Sequence, residues 1–379
     1  MSNILITAPS LDEKVNISGI SSLTRTIIST NSNSHRYLHF RIGKKDAETK
    51  GVKWFINQIA LLPRFIRFAR RNKVDVIHLN TDLTPFSLIR DFPILLSAKF
   101  LIKKKVLLHL HGGYFLMKPP SRRSPFFYLI RSMLRHSTIR VVLSEIESNE
   151  IKKHYGVECE IMPNAVRTPE QRIEKDFSGR ISLFFMGRIV RAKGIFLLAQ
   201  CLKELEPWAD QFDFHLYGTG PDYQELHNEL CKLRHIRYIY HGVVNGREKE
   251  EALRKGHIFL LPSLYGEGLP VALLESMSRG CVPVVSNDAS IGTVVRDGIN
   301  GYIFPKGSTG ALKEKLIQVF KERDILGSVS TSARNTIHNS YNLESYVVEL
   351  NRLYKNINHY GSDQFPGHRV EPYHVRGVI

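Results

Sequence analysis

Two cations and two carboxylates in the second half of the chain stand at spacings that suit the chemistry of a phosphorylated sugar. Arg188 and Lys193 lie five residues apart in Gly187-Arg-Ile-Val-Arg-Ala-Lys-Gly194. A guanidinium forks onto phosphate oxygens and an ammonium meets them as a point charge, so the pair can hold a diphosphate. The flanking glycines let backbone approach a ligand closely. A solvated basic turn reads the same way. Further on, LPSLYGEGLPVALLESMSRG (261–280) carries Glu267 and Glu275. Glu275 falls in a helix that is apolar nearly all round and therefore buried, where a carboxylate needs a partner. Glu267 lies in the loop at the mouth. Pro270 suits the first helical position, and the free amides of Gly268 and Leu269 then make an anion site at the helix start. Glu275 follows ~7.5 Å along the axis, at about 1.5 Å per residue. Ribose hydroxyls on one carboxylate and hexose hydroxyls on the other, with phosphates between, satisfy both. A structural ion pair to Lys or Arg explains either glutamate taken singly.

The elements that position these residues form a repeated pattern. NILITA (3–8), VDVIHLN (74–80), KKVLLHLH (104–111), IRVVLS (139–144) and ECEIMPN (158–164) read as strands, separated by segments of helical periodicity such as WFINQIALLPRFIRFARR (54–71). The second half repeats the alternation with strands at 181–187, 213–218, 236–242, 257–263, 281–287 and 301–305. Alternating strands and helices mean parallel sheets covered on both faces. The fold class is α/β, two Rossmann-like domains with a cleft between them. The expected boundaries are an N-terminal domain over 1–162, a polar, proline-containing linker at 163–180 and a C-terminal domain over 181–340. A helix follows at 341–358, then a tail over 359–379. In open α/β sheets ligands bind beyond the carboxyl ends of the strands, which is where the motifs above fall.

Together these motifs resemble the retaining glycosyltransferases of GT-B architecture, glycosyltransferase family 4. The resemblance rests on G-R-x4-K-G at 187–194, P-S-x3-E-G-L-P-x4-E-S-M at 262–277, D-G-x-N-G at 297–301, the turn Tyr217-Gly218-Thr219-Gly220-Pro221 and the linker Ile161-Met162-Pro163-Asn164. It is dense in the second half and thin in the first. It implies that Arg188 and Lys193 hold the donor's diphosphate and stabilise the departing nucleoside diphosphate. It places Glu275 on the ribose, Glu267 on the transferred sugar, and amides near Gly268, Leu269 and Val271 on the distal phosphate, since Pro270 cannot donate. Gly218 belongs to the donor site and Val243 to the loop near the base. His111, after the strand VLLHLH and before Gly112-Gly113, matches the histidine that faces the donor sugar. His109, two residues earlier on the same side of the strand, competes with it or is a core histidine. Gly19 matches one glycine of an N-terminal Gly-Gly loop in which Ser18 replaces the other. Ala165 stands where the linker usually has glycine. The resemblance also implies a C-terminal helix that crosses back to the N-terminal domain.

Composition narrows the partners. The chain has 379 residues, 42% hydrophobic and 23% charged, with a net charge of +17. Residues 1–166 hold 26 Lys and Arg against 12 Asp and Glu, a net +14, and the remainder 27 against 24, a net +3. A strongly basic half calls for an anionic partner. Two segments join basic and apolar residues: Arg64, Arg67, Arg70, Arg71 and Lys73 in one, and Lys118, Arg122, Arg123, Arg131 and Arg135 beside Phe115, Phe126 and Phe127 in the other. An anionic membrane surface fits such segments, as does a core-facing helix with a solvated basic face. No nucleic-acid module is visible. No run reaches membrane-span length and no leader precedes the first strand, so the expected location is cytoplasmic, peripheral on the inner membrane face. Four scattered cysteines suit reduced thiols. No D-x-D or zinc spacing occurs, so no metal and no cofactor beyond a UDP- or GDP-linked sugar co-substrate is expected. The expected activity is a metal-independent hexosyl transfer to a lipid-linked or saccharide acceptor of a bacterial surface polysaccharide. A sugar-nucleotide epimerase of similar fold, or a non-enzymatic sugar-nucleotide-binding module, are the alternatives.

Overall fold

The structure, a computed structural model, describes residues 1–12, 16, 18–43, 60–288 and 290–357. The chain divides into two units, Met1–Asn164 with Glu344–Ile379, and Ala165–Leu343. In the first, strands β1 (Ser2–Ala8), β2 (His35–Arg41), β3 (Val76–Thr81), β4 (Lys105–Leu110), β5 (Ile139–Val142) and β6 (Glu160–Ile161) form a sheet of order β2-β1-β3-β4-β5-β6. Every pairing is parallel. The central strands are continuous apolar runs because helices cover both faces; Leu5, Ile77, Leu79, Val106 and Leu108 are among the fully buried core residues.

Strand β2, HRYLHFR, is absent from the sequence reading. It is an edge strand in which only His35 and Phe40 are buried, so its apolar signal is weak. The strand expected over 158–164 shrinks to Glu160–Ile161, because Pro163 has no amide for a ladder.

The second unit contains β7 (Ile181–Met186), β8 (Phe212–Tyr217), β9 (Arg237–Gly242), β10 (Ile258–Leu261), β11 (Val282–Ser286) and β12 (Tyr302–Phe304), ordered β12-β11-β10-β7-β8-β9 and also all parallel. Its strand order reverses between β7 and β10, and that switch point is where a doubly wound sheet opens a crevice for ligands. The six strands read from this half all form, each within a residue or two of the expected ends.

The two connecting segments are each packed against one unit, and the last helix returns to the first unit as expected. The polar stretch at 163–180 is tied to the second unit. Lys175 Nζ donates to the carbonyls of Leu253, Arg254 and Gly256 at 2.7, 2.6 and 2.7 Å, closing the end of the helix Gly246–Lys255. A cation there meets unsatisfied carbonyls and the negative end of the helix dipole. The last helix, Leu343–Asn356, lies in the first unit: Asn351 bonds Asn31 at 2.8 Å, Tyr354 bonds His78 at 2.7 Å, and Arg352 pairs with Glu160 at 3.2 Å. The expected tail at 359–379 and residues 54–59 of the basic segment lie outside the described residues.

Candidate active site

At the switch point of the second unit, three loops interlock through their glycines. Gly194 has φ +68, and a Cβ there would stand 1.9 Å from the Pro262 carbonyl oxygen. Gly218, at φ +119, would bring a Cβ within 1.9 Å of the Gly187 oxygen. Backbone bonds stitch the same loops: Leu264 N–H to Ala192 O at 2.8 Å, Ile189 N–H to Thr219 O at 2.9 Å and Gly218 N–H to Gly242 O at 2.6 Å. The G-R-x4-K-G loop after β7, the G-T-G turn after β8 and the P-S-x3-E loop after β10 thus form one rigid rim. Val243, just past β9, is exposed beside it.

This rim brings Lys193 and Glu267 together. The ammonium of Lys193 bonds Glu267 Oε1 in a short contact, and Ser263 Oγ donates to the same oxygen at 2.5 Å. Glu267 is only 8% exposed, so the loop glutamate expected at the mouth is the more buried of the two. Its lysine and hydroxyl partners explain how a carboxylate persists there. Arg188, by contrast, is exposed and has no partner among the described residues. The two cations of the motif therefore differ: one is held in a pair and one is free.

Glu275 lies on the helix Val271–Ser278 and is partly exposed, its side chain at 17%, so the expectation of full burial is corrected. The residues that make the helix apolar, Val271, Leu273, Leu274 and Met277, occupy the faces turned inward. Its partner is Lys249 of the helix Gly246–Lys255, whose Nζ donates to Glu275 Oε1 at 2.6 Å. Pro270 is the residue before the helix, with ψ 122, and not its first helical residue. Leu273 and Leu274 make the first bonds back to the Pro270 carbonyl, so Val271 and Ala272 are the amides without an intrahelical acceptor. Gly268 and Leu269 are buried in the approach.

Ser263 and Lys249 are absent from the residues singled out in the sequence. Ser263 sits in the P-S-x3-E motif, four residues from the carboxylate it meets, so the signal was present. Lys249 stands inside the charge run Arg247-Glu248-Lys249-Glu250-Glu251 and carried none.

In the first unit, Gly19 opens the helix Gly19–Asn31 behind Ser18, whose hydroxyl accepts from Ser21 N–H at 3.2 Å. The serine that replaces glycine is thus a helix cap. His111 follows β4 and is half-buried, with Nε2 2.8 Å from Asn80 Oδ1. His109 is fully buried on β4 with Nδ1 3.3 Å from His78 Nε2, as a core histidine would be. Burial lowers the pKa of His78 and His111 to about 3 and holds His109 well below its ordinary value. All three rings are therefore neutral near pH 7. Among the described residues no three His, Cys, Asp or Glu converge in a metal-ligating group.

Residues 167–341 match the family model of glycosyl transferases group 1, and residues 31–169 that of glycosyltransferase family 4. The chain is 28% identical over 186 residues, 47% of its length and 45% of the other, to the putative colanic acid biosynthesis glycosyltransferase WcaL of Salmonella typhimurium. It is 25% identical over 230 residues, 59% of its length and 60% of the other, to the phosphatidyl-myo-inositol mannosyltransferase of Mycobacterium leprae. Its fold is shared with Anabaena HepE, solved in complex with UDP and glucose, at a TM-score of 0.73 and 14% identity, covering 94% of this chain and all of that one.

Proposed function

Because the chain is a glycosyltransferase of GT-B architecture and family 4, we propose that it transfers a hexose, with retention and without a metal, from a nucleoside-diphosphate sugar to a lipid-linked or saccharide acceptor. The observation that carries the donor assignment is the rim itself. A free Arg188, a Lys193 already held against a buried carboxylate, and two amides without helical acceptors share one switch point. Arg188 takes the diphosphate. Lys193 turns from Glu267 to the phosphates, and Glu267, released, accepts from hydroxyls of the transferred sugar. Glu275 keeps one oxygen on Lys249 and offers the other to the ribose, near Val243 and the base. The bond from the anomeric carbon to phosphate breaks as the bond to the acceptor oxygen forms on the same face. The acceptor's proton goes to a phosphate oxygen of the leaving group. Preorganised cations and a helix terminus stabilise charge as it develops there. His111 contacts the donor sugar. No cofactor other than the nucleotide-sugar is used.

The basic first unit supports an acceptor at an anionic membrane surface, though by a different route from the one the sequence suggests. The apolar side of the helix Leu61–Arg71 is used by the core, with Leu61, Phe65 and Ala69 buried and Arg64, Arg67, Arg70 and Arg71 outward. Phe127 is likewise buried, and Phe115 and Phe126 are half-buried. The exposed apolar side chains are others, among them Phe100, Leu101, Tyr114, Met117 and Tyr128. Phe100 and Leu101 sit between Arg70, whose guanidinium reaches the Leu101 carbonyl at 3.4 Å, and His136, whose ring is 5.3 Å from that of Phe100. Apolar tips beside an arginine suit the headgroup region. No helix among the described residues is long and apolar enough to cross a membrane. The relatives named for colanic acid and phosphatidylinositol chemistry support a surface-polysaccharide or glycolipid product, assembled at the cytoplasmic face.

Calorimetry with UDP and GDP tests the donor assignment. Binding of one, strengthened by its cognate hexose, is expected, whereas no binding of either would sink it. Incubation with the donor alone separates transfer from epimerisation, since an epimerase consumes donor without acceptor. Flotation with anionic and with neutral vesicles tests the surface, and equal partition to both would remove the electrostatic argument.

A further inference from the structure

Both donors that reach Glu267, Lys193 Nζ and Ser263 Oγ, meet the same oxygen, Oε1. Oε2 takes no bond among the described residues and is not shielded from water. The two donors differ in how far they can move. Ser263 is fully buried just past β10, and its carbonyl accepts at 2.6 Å from the hydroxyl of Ser286, the last residue of β11. Its own hydroxyl is therefore fixed. Lys193 closes a short turn, Arg191–Lys193, whose backbone is held by the fit of Gly194 against the Pro262 carbonyl. The lysine side chain is 26% exposed against 8% for Glu267, so the ammonium stands between a covered carboxylate and open water. A flexible four-carbon stem can swing while the turn stays still. Each partner of this pair is also what the other's ligand needs. A phosphate must take the lysine from its carboxylate, and a sugar hydroxyl must compete with a full charge for Oε1.

We infer that the Lys193–Glu267 pair is a latch that keeps the sugar subsite of the second unit closed until a diphosphate arrives. The inference rests on the reading of Lys193 as a diphosphate contact and Glu267 as a sugar contact, and adds the order in which the two subsites fill. A diphosphate draws the ammonium away. Glu267, still held on Oε1 by Ser263, then accepts sugar hydroxyls on Oε2 and on the vacated side of Oε1. Nucleotide and hexose therefore favour each other's binding, and linkage makes the factor the same in both directions. A free hexose has no phosphate to open the latch, so it meets a closed subsite.

Calorimetry on the whole protein tests the coupling, with UDP and GDP as nucleotide probes and glucose, galactose and mannose as hexose probes. In the parent, one hexose should bind roughly 5- to 150-fold tighter with saturating nucleotide than without it, and the nucleotide should tighten by the same factor with saturating hexose. Two variants separate a latch from a static pair, because under a latch each gains an affinity. Glu267→Gln frees the lysine, so nucleotide should bind roughly 5-fold or more tighter than to the parent, with the coupling to hexose lost. Lys193→Ala uncovers the carboxylate, so hexose should bind tighter than to the parent when no nucleotide is present. A static pair gives the opposite signs, since each variant then only removes a contact, and that result would overturn the latch. So would nucleotide binding in the parent that leaves hexose affinity unchanged. If Lys193→Ala proves too unstable to purify, the Glu267→Gln arm decides alone. Failure of the parent to bind either nucleotide would count against the donor assignment instead, and the hexose arm of Lys193→Ala, which needs no nucleotide, would still decide the latch.

Discussion

The histidines of β3 and β4 in the first unit and the two glutamates of the second are held in different electrostatic states. In the second, both glutamates are held by lysines, Glu267 by Lys193 and Glu275 by Lys249. In the first, the rings of His78, His109 and His111 are neutral and are joined to a phenol, an amide or one another. Ion pairs in a crevice can exchange partners, since an arriving phosphate or hydroxyl replaces one charge-assisted bond with another. Buried neutral rings have no such freedom, and their geometry is set by tautomer.

The largest expected effect breaks the charged side of this contrast. Arg188→Ala and Lys193→Ala should each lower kcat by roughly 10²-fold or more, as loss of one preorganised donor does in other enzymes. Steady-state kinetics with the native donor checks this. Stability should separate the two variants. Arg188 has no partner to abandon, so its removal should leave the denaturation midpoint in place. Removing Lys193 strands a carboxylate that is 8% exposed, and the midpoint should fall. Equal midpoints in both variants would mean that the Lys193–Glu267 pair contributes nothing to the fold.

Next in size is Glu275→Gln, which preserves shape and removes charge. Nucleoside diphosphate affinity should fall about 10- to 150-fold, the worth of a charged hydrogen bond of ~1.5–3 kcal/mol. Calorimetry and the apo denaturation midpoint together decide between two roles for this carboxylate. A loss of midpoint with unchanged affinity would make the pair with Lys249 purely structural.

The neutral side is probed by pH. For His78 and His111, lowered by burial to about 3, the unfolded chain takes up a proton below pH ~6.5 and the folded chain does not. Their stabilisation is complete above that pH and is lost as pH falls toward 3, by up to about 1.4 kcal/mol per pH unit for each ring. Urea midpoints at pH 7.5 and pH 5 should show the drop, and His78→Gln should flatten the slope. A parent slope of zero over this range would mean that the rings are not kept neutral.

The smallest expected effect is none. Turnover should survive a strong chelator, since Arg188, Lys193 and a helix start are assigned the leaving-group charge. Loss of activity with EDTA, restored by a divalent ion, would contradict that assignment.

Much of this molecule was legible before folding was considered. Alternating apolar strands and periodic helices determined two parallel sheets, because side-chain burial repeats with the backbone period. Short-range motifs determined the rim as well. In G-R-x4-K-G and P-S-x3-E the chemistry and the turn that aims it lie within eight residues, and the glycines record a backbone that only they can follow. Tertiary structure decided what the sequence left open, which was the partner of each charged or polar group. Lys249 reaches Glu275 across 26 positions, and Asn80 reaches His111 across 31. Such pairings depend on strand order and helix placement, which carry no local periodic signal. The edge strand β2 escaped for a related reason, because a strand with a neighbour on one side only has little need of a continuous apolar run. Burial of Glu267 and partial exposure of Glu275 reversed the expected order, because packing against neighbouring elements, and not the apolar content of a helix, decides which of its faces meets water.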